Sequence, residues 1–375
     1  MKKSYLLGII ASAALAMTGC SSDEMAVNEG GNAQAIEFGT YVGRDAQVRS
    51  TNAITGLSDL QKESNGFGVF AFYTENKTFE SAGITTPNFM NNQKVEWKEG
   101  TNGAWEYSPV KYWPNNVGDK VSFFAYAPYA AGKTWAEGNK IAYTVENDVK
   151  KQVDLLFCAG QTDKTKQNIT DKVSFEFKHA LARIGFSVAY AVDQTAAGGK
   201  LDDKTTITIN KVVLRKKGAT TETEGVFCKS GNLTLTAADA DAAWADKKDA
   251  QAFTLVSGGN GNFKANVLNN TTSKIDQLNA DDSYVMIIPQ STEFEVYVEY
   301  TVTTTDSSLT DNKSEITNKI TTAVNTINFQ ANKAYTLDLV LGMTSVKVNA
   351  TYTDWESVTP STTVNVPANT EGTGN

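Results

Sequence analysis

Apolar residues in this chain recur at every second position, in short runs stopped by Gly, Asn, Asp or Pro. That period puts successive side chains on opposite faces of an extended strand, so it selects β structure over helix. Ile36, Phe38 and Thr40 alternate ahead of Gly43. Phe67, Val69 and Ala71 share one phase while Phe70 and Phe72 fill the other, the pattern of a strand covered on both faces. Val121–Pro128 (VSFFAYAP) reads the same way. Further strands are predicted over Thr206–Leu214, Leu233–Thr236, Tyr284–Ile288, Phe294–Val302 and Tyr335–Leu341. Val346, Val348, Ala350 and Tyr352 alternate next, then Val364 and Val366. Many short strands at this spacing predict an all-β chain of packed sandwiches. Only Ala237–Ala250, rich in Ala and Asp, reads as a short helix or surface loop.

The apolar phase changes once within a long run. Val173, Phe175, Phe177, His179 and Leu181 keep one phase, and Ile184, Phe186 and Val188 keep the other. A phase change marks a bulge, a strand that passes between sheets, or the exit from one domain into the next. The chain is long enough for two domains of ordinary size. The division expected here is residues 50–180 and 181–375, preceded by segments 1–19 and 20–49.

The first segment has its own logic. Lys2 and Lys3 precede an apolar run, Tyr5–Met17, and the small residues Thr18 and Gly19 follow. A basic start, a short apolar core and a small-residue cut site describe a secretory signal, and the run is too short for a permanent membrane span. Cys20 stands directly after the cut site, which turns the signal into that of a lipoprotein. Its thiol takes a diacylglycerol, and two or three acyl chains anchor stably where one does not. Met17 stands where such signals usually carry Leu. Beyond Cys20, Ser21-Ser22-Asp23-Glu24 is polar and acidic, and Ala26–Gln34 is rich in Asn, Gly and Ala without periodicity. This stretch reads as a flexible tether, and the acidic residues fit either a surface-export signal or plain solvation.

Composition removes several functions. A net charge of −8 argues against nucleic-acid partners. The sole histidine, His179, sits among large apolar residues, a core position rather than that of a catalytic base, and one histidine cannot build a histidine-rich metal site. Asp239, Asp241, Asp246 and Asp249 lie near Trp244 but lack the glycine and closing glutamate of a calcium loop. Carboxylates are plentiful without a marked acid pair, so glycoside hydrolysis has no specific support. Gly258-Gly259-Asn260-Gly261 is a turn, without the strand and helix that a phosphate loop needs. Cys158 and Cys228 can pair in an oxidising compartment or stay as two thiols, and their spacing does not choose. Trp97, Trp105, Trp113, Trp135, Trp244 and Trp355 could stack on sugar rings or plug sandwich cores. No catalytic residue, cofactor or metal is expected.

Arg44 and Arg49 flank Asp45-Ala46-Gln47-Val48, just past the predicted strand Ile36–Val42. A trypsin-like protease reads such arginines, and a cut at Arg49 would free the lipid, the tether and the first strand together. From chemistry alone they read as plain surface residues.

In order along the chain come the lipoprotein start at Cys20, Ile36–Val42 followed by Arg49, and Gly66-Phe67-Gly68-Val69-Phe70-Ala71-Phe72-Tyr73. Trp105-Glu106-Tyr107-Ser108-Pro109 then runs to Tyr112-Trp113-Pro114, and Phe123-Phe124-Ala125-Tyr126-Ala127-Pro128 follows. Asp154-Leu155-Leu156, Phe175–Ala182 and Trp355 complete the set. Together these phrases resemble the fimbrillins, lipoprotein-derived subunits of type V pili. The resemblance implies two transthyretin-like β-sandwich domains in tandem and no enzymatic activity. It also implies export through the periplasm to the outer membrane and cell surface, followed by cleavage by an arginine-specific protease after Arg49, or after Arg44 as second choice. Loss of the first strand (Ile36, Phe38, Thr40, Val42) would open a groove. A C-terminal strand of a neighbouring subunit would fill it, with Val346, Val348, Val364 and Val366 as the donor side chains. An open edge beside an apolar groove is a template for strand addition, and a head-to-tail contact that does not close builds a fibre. The alternative is a surface lipoprotein that does not polymerise, either a pilus anchor or a glycan binder.

Overall fold

A computed structural model describes residues 34–42, 56–62, 65–100, 103–169, 171–190, 201–257, 267–275, 284–342, 346–354 and 362–364. Its first half carries strands β1 (Phe38–Val42), β2 (Phe67–Tyr73), β3 (Met90–Lys98), β4 (Ala104–Glu106), β5 (Val121–Ala127), β6 (Lys140–Thr144), β7 (Leu156–Phe157), β8 (Gln161–Lys164) and β9 (Val173–His179). The second half carries β10 (Ala182–Tyr190), β11 (Thr205–Arg215), β12 (Phe227–Thr234), β13 (Trp244–Gln251), β14 (Phe253–Ser257), β15 (Val267–Leu268) and β16 (Lys274–Ile275). It ends with β17 (Val285–Ile287), β18 (Gln290–Thr305), β19 (Lys313–Phe329), β20 (Lys333–Leu341), β21 (Val346–Asp354) and β22 (Thr362–Val364). The described helices are single turns, so the chain is all-β.

The first sheet has the order β1-β9-β7-β5-β2-β3-β4, with β8 beside β5. Its two ends, β1 and β4, come together around one core. Phe67, Val69, Phe123, Ala125, Phe175 and Phe177 fill that core. The opposite phase of β2 and β5, carrying Phe70, Phe72, Phe124 and Tyr126, joins the second core. Both strands are therefore covered on two faces, as their continuous apolar runs require. The glycines of the GFGVFAFY phrase have steric causes. Gly66 has φ of +51° and a Cβ there would meet the Val95 carbonyl oxygen at 2.5 Å. A Cβ on Gly68 would meet the Tyr126 ring at 2.4 Å.

The second core lies among a six-stranded sheet, β16-β10-β20-β21-β22 with β17 on β10, and a five-stranded sheet, β14-β11-β18-β19 with β15 on β11. Ile184, Phe186 and Val188 of β10 and Leu337, Leu339 and Leu341 of β20 pack with Ile209 of β11 and Val296, Val298 and Tyr300 of β18. The Tyr300 hydroxyl donates to the Gly342 carbonyl at 2.8 Å, tying β18 to the end of β20. A third, three-stranded sheet has the order β13-β12-β6. Thus β6, from the first half, pairs with β12 of the second.

The phase change at 179–184 is where the chain leaves the first sheet as β9 and enters the six-stranded sheet as β10. The expectation for Ala237–Ala250 needs correction. One helical turn, Ala240–Ala243, leads into strand β13, which pairs with β12. The outward side of that strand is charged, and Asp246 and Asp249 take left-handed backbone angles, so apolar alternation was never written there.

Candidate functional site

The N-terminal strand is the functional candidate because it is both peripheral in the sheet and central in the core. β1 lies at the end of its sheet and, among the described residues, pairs with β9 alone, in parallel, from Phe38 opposite Val173 to Val42 opposite Phe177. Yet Ile36, Phe38 and Val42 are 1%, 1% and 6% exposed. The Phe38 ring stacks on Phe175 at 5.5 Å and meets Tyr107, Phe123 and Phe67 at 5.3, 5.9 and 6.1 Å. Of the four positions expected on the inward face, Ile36 precedes the strand and remains buried, while Thr40 is half-buried. Thr40 Oγ1 is itself buried without a hydrogen-bond partner among the described residues. Tyr41, in the other phase, is exposed.

The residues before β1 are held from the other side. The Ile36 amide donates to the Lys111 carbonyl at 2.9 Å, and the Trp113 amide donates to the Gln34 carbonyl at 3.0 Å. The Tyr107 hydroxyl donates to the Ile36 carbonyl at 2.9 Å, with the Lys111 backbone 3.3 Å away. Burial pushes the Tyr107 phenol up to about 12. Sequence reasoning placed Tyr107 inside a family phrase and gave it no role. An isolated Tyr carries no signal for a bond to a carbonyl 71 positions away.

Residues 34–42 cover a groove floored by Phe67, Phe123 and Phe175, with Trp113 against Phe123 at 5.9 Å and Trp105 against Phe67 at 5.0 Å. The other half of the expected site lies at the C-terminus. Val346 and Val348 are on β21, which pairs antiparallel with β20, and Val348 is 4% exposed. Val364 is on β22, opposite Ala350 of β21. The structure therefore does not bring the C-terminal strands to the β1 groove within one chain; they pair in their own sheet. Val366, Cys20, Arg44 and Arg49 lie outside the described residues.

The remaining chemistry-bearing residues have structural surroundings. His179 is buried, with Nδ1 2.8 Å from Asp154 Oδ2. Beside them, burial lowers the Arg183 guanidinium to about 10, and it lies over the Tyr284 ring at 4.5 Å. Cys158 and Cys228 are both free, and burial raises the Cys158 thiol to about 12. Among the described residues no group of three or more His, Cys, Asp or Glu could hold a metal. Trp105, Trp113 and Trp244 are buried, and Trp135 packs on Phe70, Phe72 and Phe124. Trp355 lies outside the described residues. No described helix is long and apolar enough to cross a membrane.

Comparison with known proteins agrees with this architecture. A crystal structure of a fimbrial protein from Bacteroides vulgatus covers 86% of this chain and 99% of its own, with a TM-score of 0.63 at 21% identity, which is a likeness of fold. The fimbrium subunit Fim1C of Phocaeicola vulgatus is 30% identical over 229 residues, 54% of this chain and 58% of that relative. The chain thus matches somewhat over half the length of that relative. The sequence profile of the fimbrillin-like family matches residues 51–355, and the chain belongs to that family.

Proposed function

We propose that this chain is a structural pilus subunit, exported as a lipoprotein through Cys20, cut after Arg49 and polymerised by donor-strand exchange to support adhesion at the cell surface. It catalyses no reaction and needs no cofactor. Its partners are other subunits of its kind, the outer membrane through lipid before processing, and an arginine-specific protease.

One observation carries the reading. β1 ends a sheet, yet supplies Ile36, Phe38 and Val42 to the middle of a core. An edge strand can leave without parting any other pair of strands. Its loss here exposes backbone hydrogen-bonding groups on β9 beside an aromatic groove, the surface that strand addition uses. Val346 and Val348, or Val364 and Val366, supply the alternate apolar side chains that such a groove accepts. The division at 50–180 and 181–375 follows the same scheme, with the groove in the first part and the donor tail at the end of the second.

The N-terminal sequence of the mature surface protein, with its mass, tests the reading. A start at Ser50 without acyl chains is expected; a start at acylated Cys20 would overturn it. Arg44→Ala together with Arg49→Ala should retain lipid and block fibres. Truncation after Asp354, which keeps β21 in its sheet, should leave a folded subunit that cannot cap a neighbour through Val364 and Val366. A second reading, a subunit that does not polymerise, draws on the pairing of β21 with both β20 and β22, which occupies the tail in its own sheet. In that case both the lipid and the first strand persist on the mature protein.

A further inference from the structure

The proposed function treats cleavage as the event that opens the groove. The contacts around residues 34–42 lead to a different order of events, and this inference rests on that reading. A cut between Val42 and Gly56 changes none of the described bonds that seat the strand. Ile36, Phe38 and Val42 stay in the core, the pairing with β9 from Phe38 to Val42 stays intact, and residues 34–36 stay bonded to 111–113. What the cut removes is the covalent tether, and with it the high effective concentration that returns a strayed strand to its seat.

The two ends of the segment are held unequally. From Phe38 to Val42 the backbone pairs on one side only among the described residues, with β9. From Gln34 to Glu37 it is bonded on both sides: the Val173 amide donates to the Glu37 carbonyl at 2.9 Å, while Ile36 and Gln34 bond Lys111 and Trp113. Tyr107 closes this end, its hydroxyl on the Ile36 carbonyl and its ring 5.3 Å from Phe38.

We infer that after cleavage the first strand remains as a non-covalent plug, latched by Tyr107 at its N-terminal end, and leaves from Val42 toward Gln34 as an incoming strand takes its place on β9. Tyr107 is a positioning residue: it sets how long the groove stays closed once the cut has been made. Cleavage permits assembly, and displacement performs it. Subunits cut far from a partner therefore keep their groove covered.

The test uses the chain from Ser21 onward, with a site for an unrelated protease placed within residues 43–55 and a fluorophore at the N-terminus. This makes the outcome independent of any native cut at Arg49. After complete cutting, the labelled fragment should co-elute with the body on a sizing column and depart slowly on dilution. Tyr107→Phe leaves the Ile36 carbonyl without its buried donor and should speed departure on the order of tenfold, with the circular dichroism of the uncut protein unchanged. Departure as fast as cutting would overturn the plug. An unchanged departure rate in Tyr107→Phe would overturn the latch, with Val110→Ala as a comparison at an exposed neighbouring side chain. A synthetic peptide covering residues 344–367 should accelerate departure in proportion to its concentration. A plug that is retained but indifferent to this peptide supports the present inference and sinks the C-terminal donor of the proposed function.

Discussion

Phe38→Ala is the substitution that most directly interrogates the seat of the first strand. Phe38 is 1% exposed and surrounded by Phe175, Tyr107, Phe123 and Phe67 at 5.3 to 6.1 Å. Burying a Phe side chain is worth up to about 3 kcal/mol by area, and a cavity that cannot collapse adds to the loss. Three of the four rings lining this cavity, Phe67, Phe123 and Phe175, stand on β2, β5 and β9, strands inside the sheet, so collapse is poor. The expected cost is about 4 kcal/mol. Two neighbours on the same strand should behave differently. Tyr41→Thr keeps strand preference at an exposed position and should stay within about 0.5 kcal/mol. Thr40→Val removes a buried hydroxyl that has no partner among the described residues, and should stabilise by about 1 kcal/mol.

The assay is urea unfolding of the uncut protein followed by tryptophan emission. Because the described residues form two hydrophobic cores, a single transition is not assumed. Trp105 and Trp113 belong to the first core and report on it. The order Phe38→Ala far below Tyr41→Thr, with Thr40→Val above both, reports a strand seated in the register described. A loss below about 1 kcal/mol for Phe38→Ala, or equal losses at 38 and 41, would show that this face does not reach the core. The groove argument would fall with it.

Other substitutions test the frame around the groove. Gly68→Val drives a side chain into the Tyr126 ring and should prevent the first core from closing, read as loss of the cooperative transition; a folded Gly68→Val would refute the steric argument. Arg215→Met strands Glu295, which is paired with Arg215 at 2.7 Å and nearly buried, and should cost about 3 kcal/mol. Adding Glu295→Leu should recover most of that loss, and failure to recover would assign the effect to packing. Burial pushes Tyr107, Tyr126 and Tyr335 up to about 12, above the ordinary value of 10.0 that they take when unfolded. Between these values the unfolded chain has lost phenolic protons that the folded chain keeps, so stability is full below pH 10 and falls as pH rises toward 12. A urea midpoint that stays flat across that window would contradict it.

The fold was legible wherever burial was two-sided or strictly alternating. The readings over Phe67–Phe72 and Val121–Pro128 each differ from the strand by one residue at the C-terminal end, because both faces of each strand are apolar. β19 was missed for the opposite reason. It ends its sheet, and residues 313–323 are exposed or half-buried Thr, Lys, Asn, Ser, Glu, Ile and Ala, so no apolar period is written there. β13 was missed because its outer face is acidic and basic in equal measure. For the candidate site, alternation identified the inward face of the first strand but not what lies against it. Neither the parallel pairing with β9 nor the bond from Tyr107 has a local signature, since both join segments far apart in sequence.

That long-range closure also links the two proposed ends of a subunit. β9 offers the edge on which β1 lies, and its backbone continues through Ala180 and Leu181 into β10. β10 pairs with β20 from Arg183 to Tyr190, and β20 pairs with β21 over its whole length. The crossover itself is pinned: Trp244 Nε1 donates to the Ala180 carbonyl at 2.7 Å, and the Gln152 side chain bonds both backbone groups of Met286 on β17, which pairs with β10. In a fibre built by strand exchange, tension enters through a tail and leaves through an occupied groove. With Val364 and Val366 as the donor side chains, that tension would run along one backbone and two long ladders, across a junction that side chains hold in place. A ladder loaded along its strands shares the force among its hydrogen bonds, so the arrangement resists extension without a disulfide, and Cys158 and Cys228 are indeed free. The same route explains why the burial of one histidine against Asp154 at the end of β9 needs no catalytic meaning. It fixes the point where the first sheet hands the chain to the second.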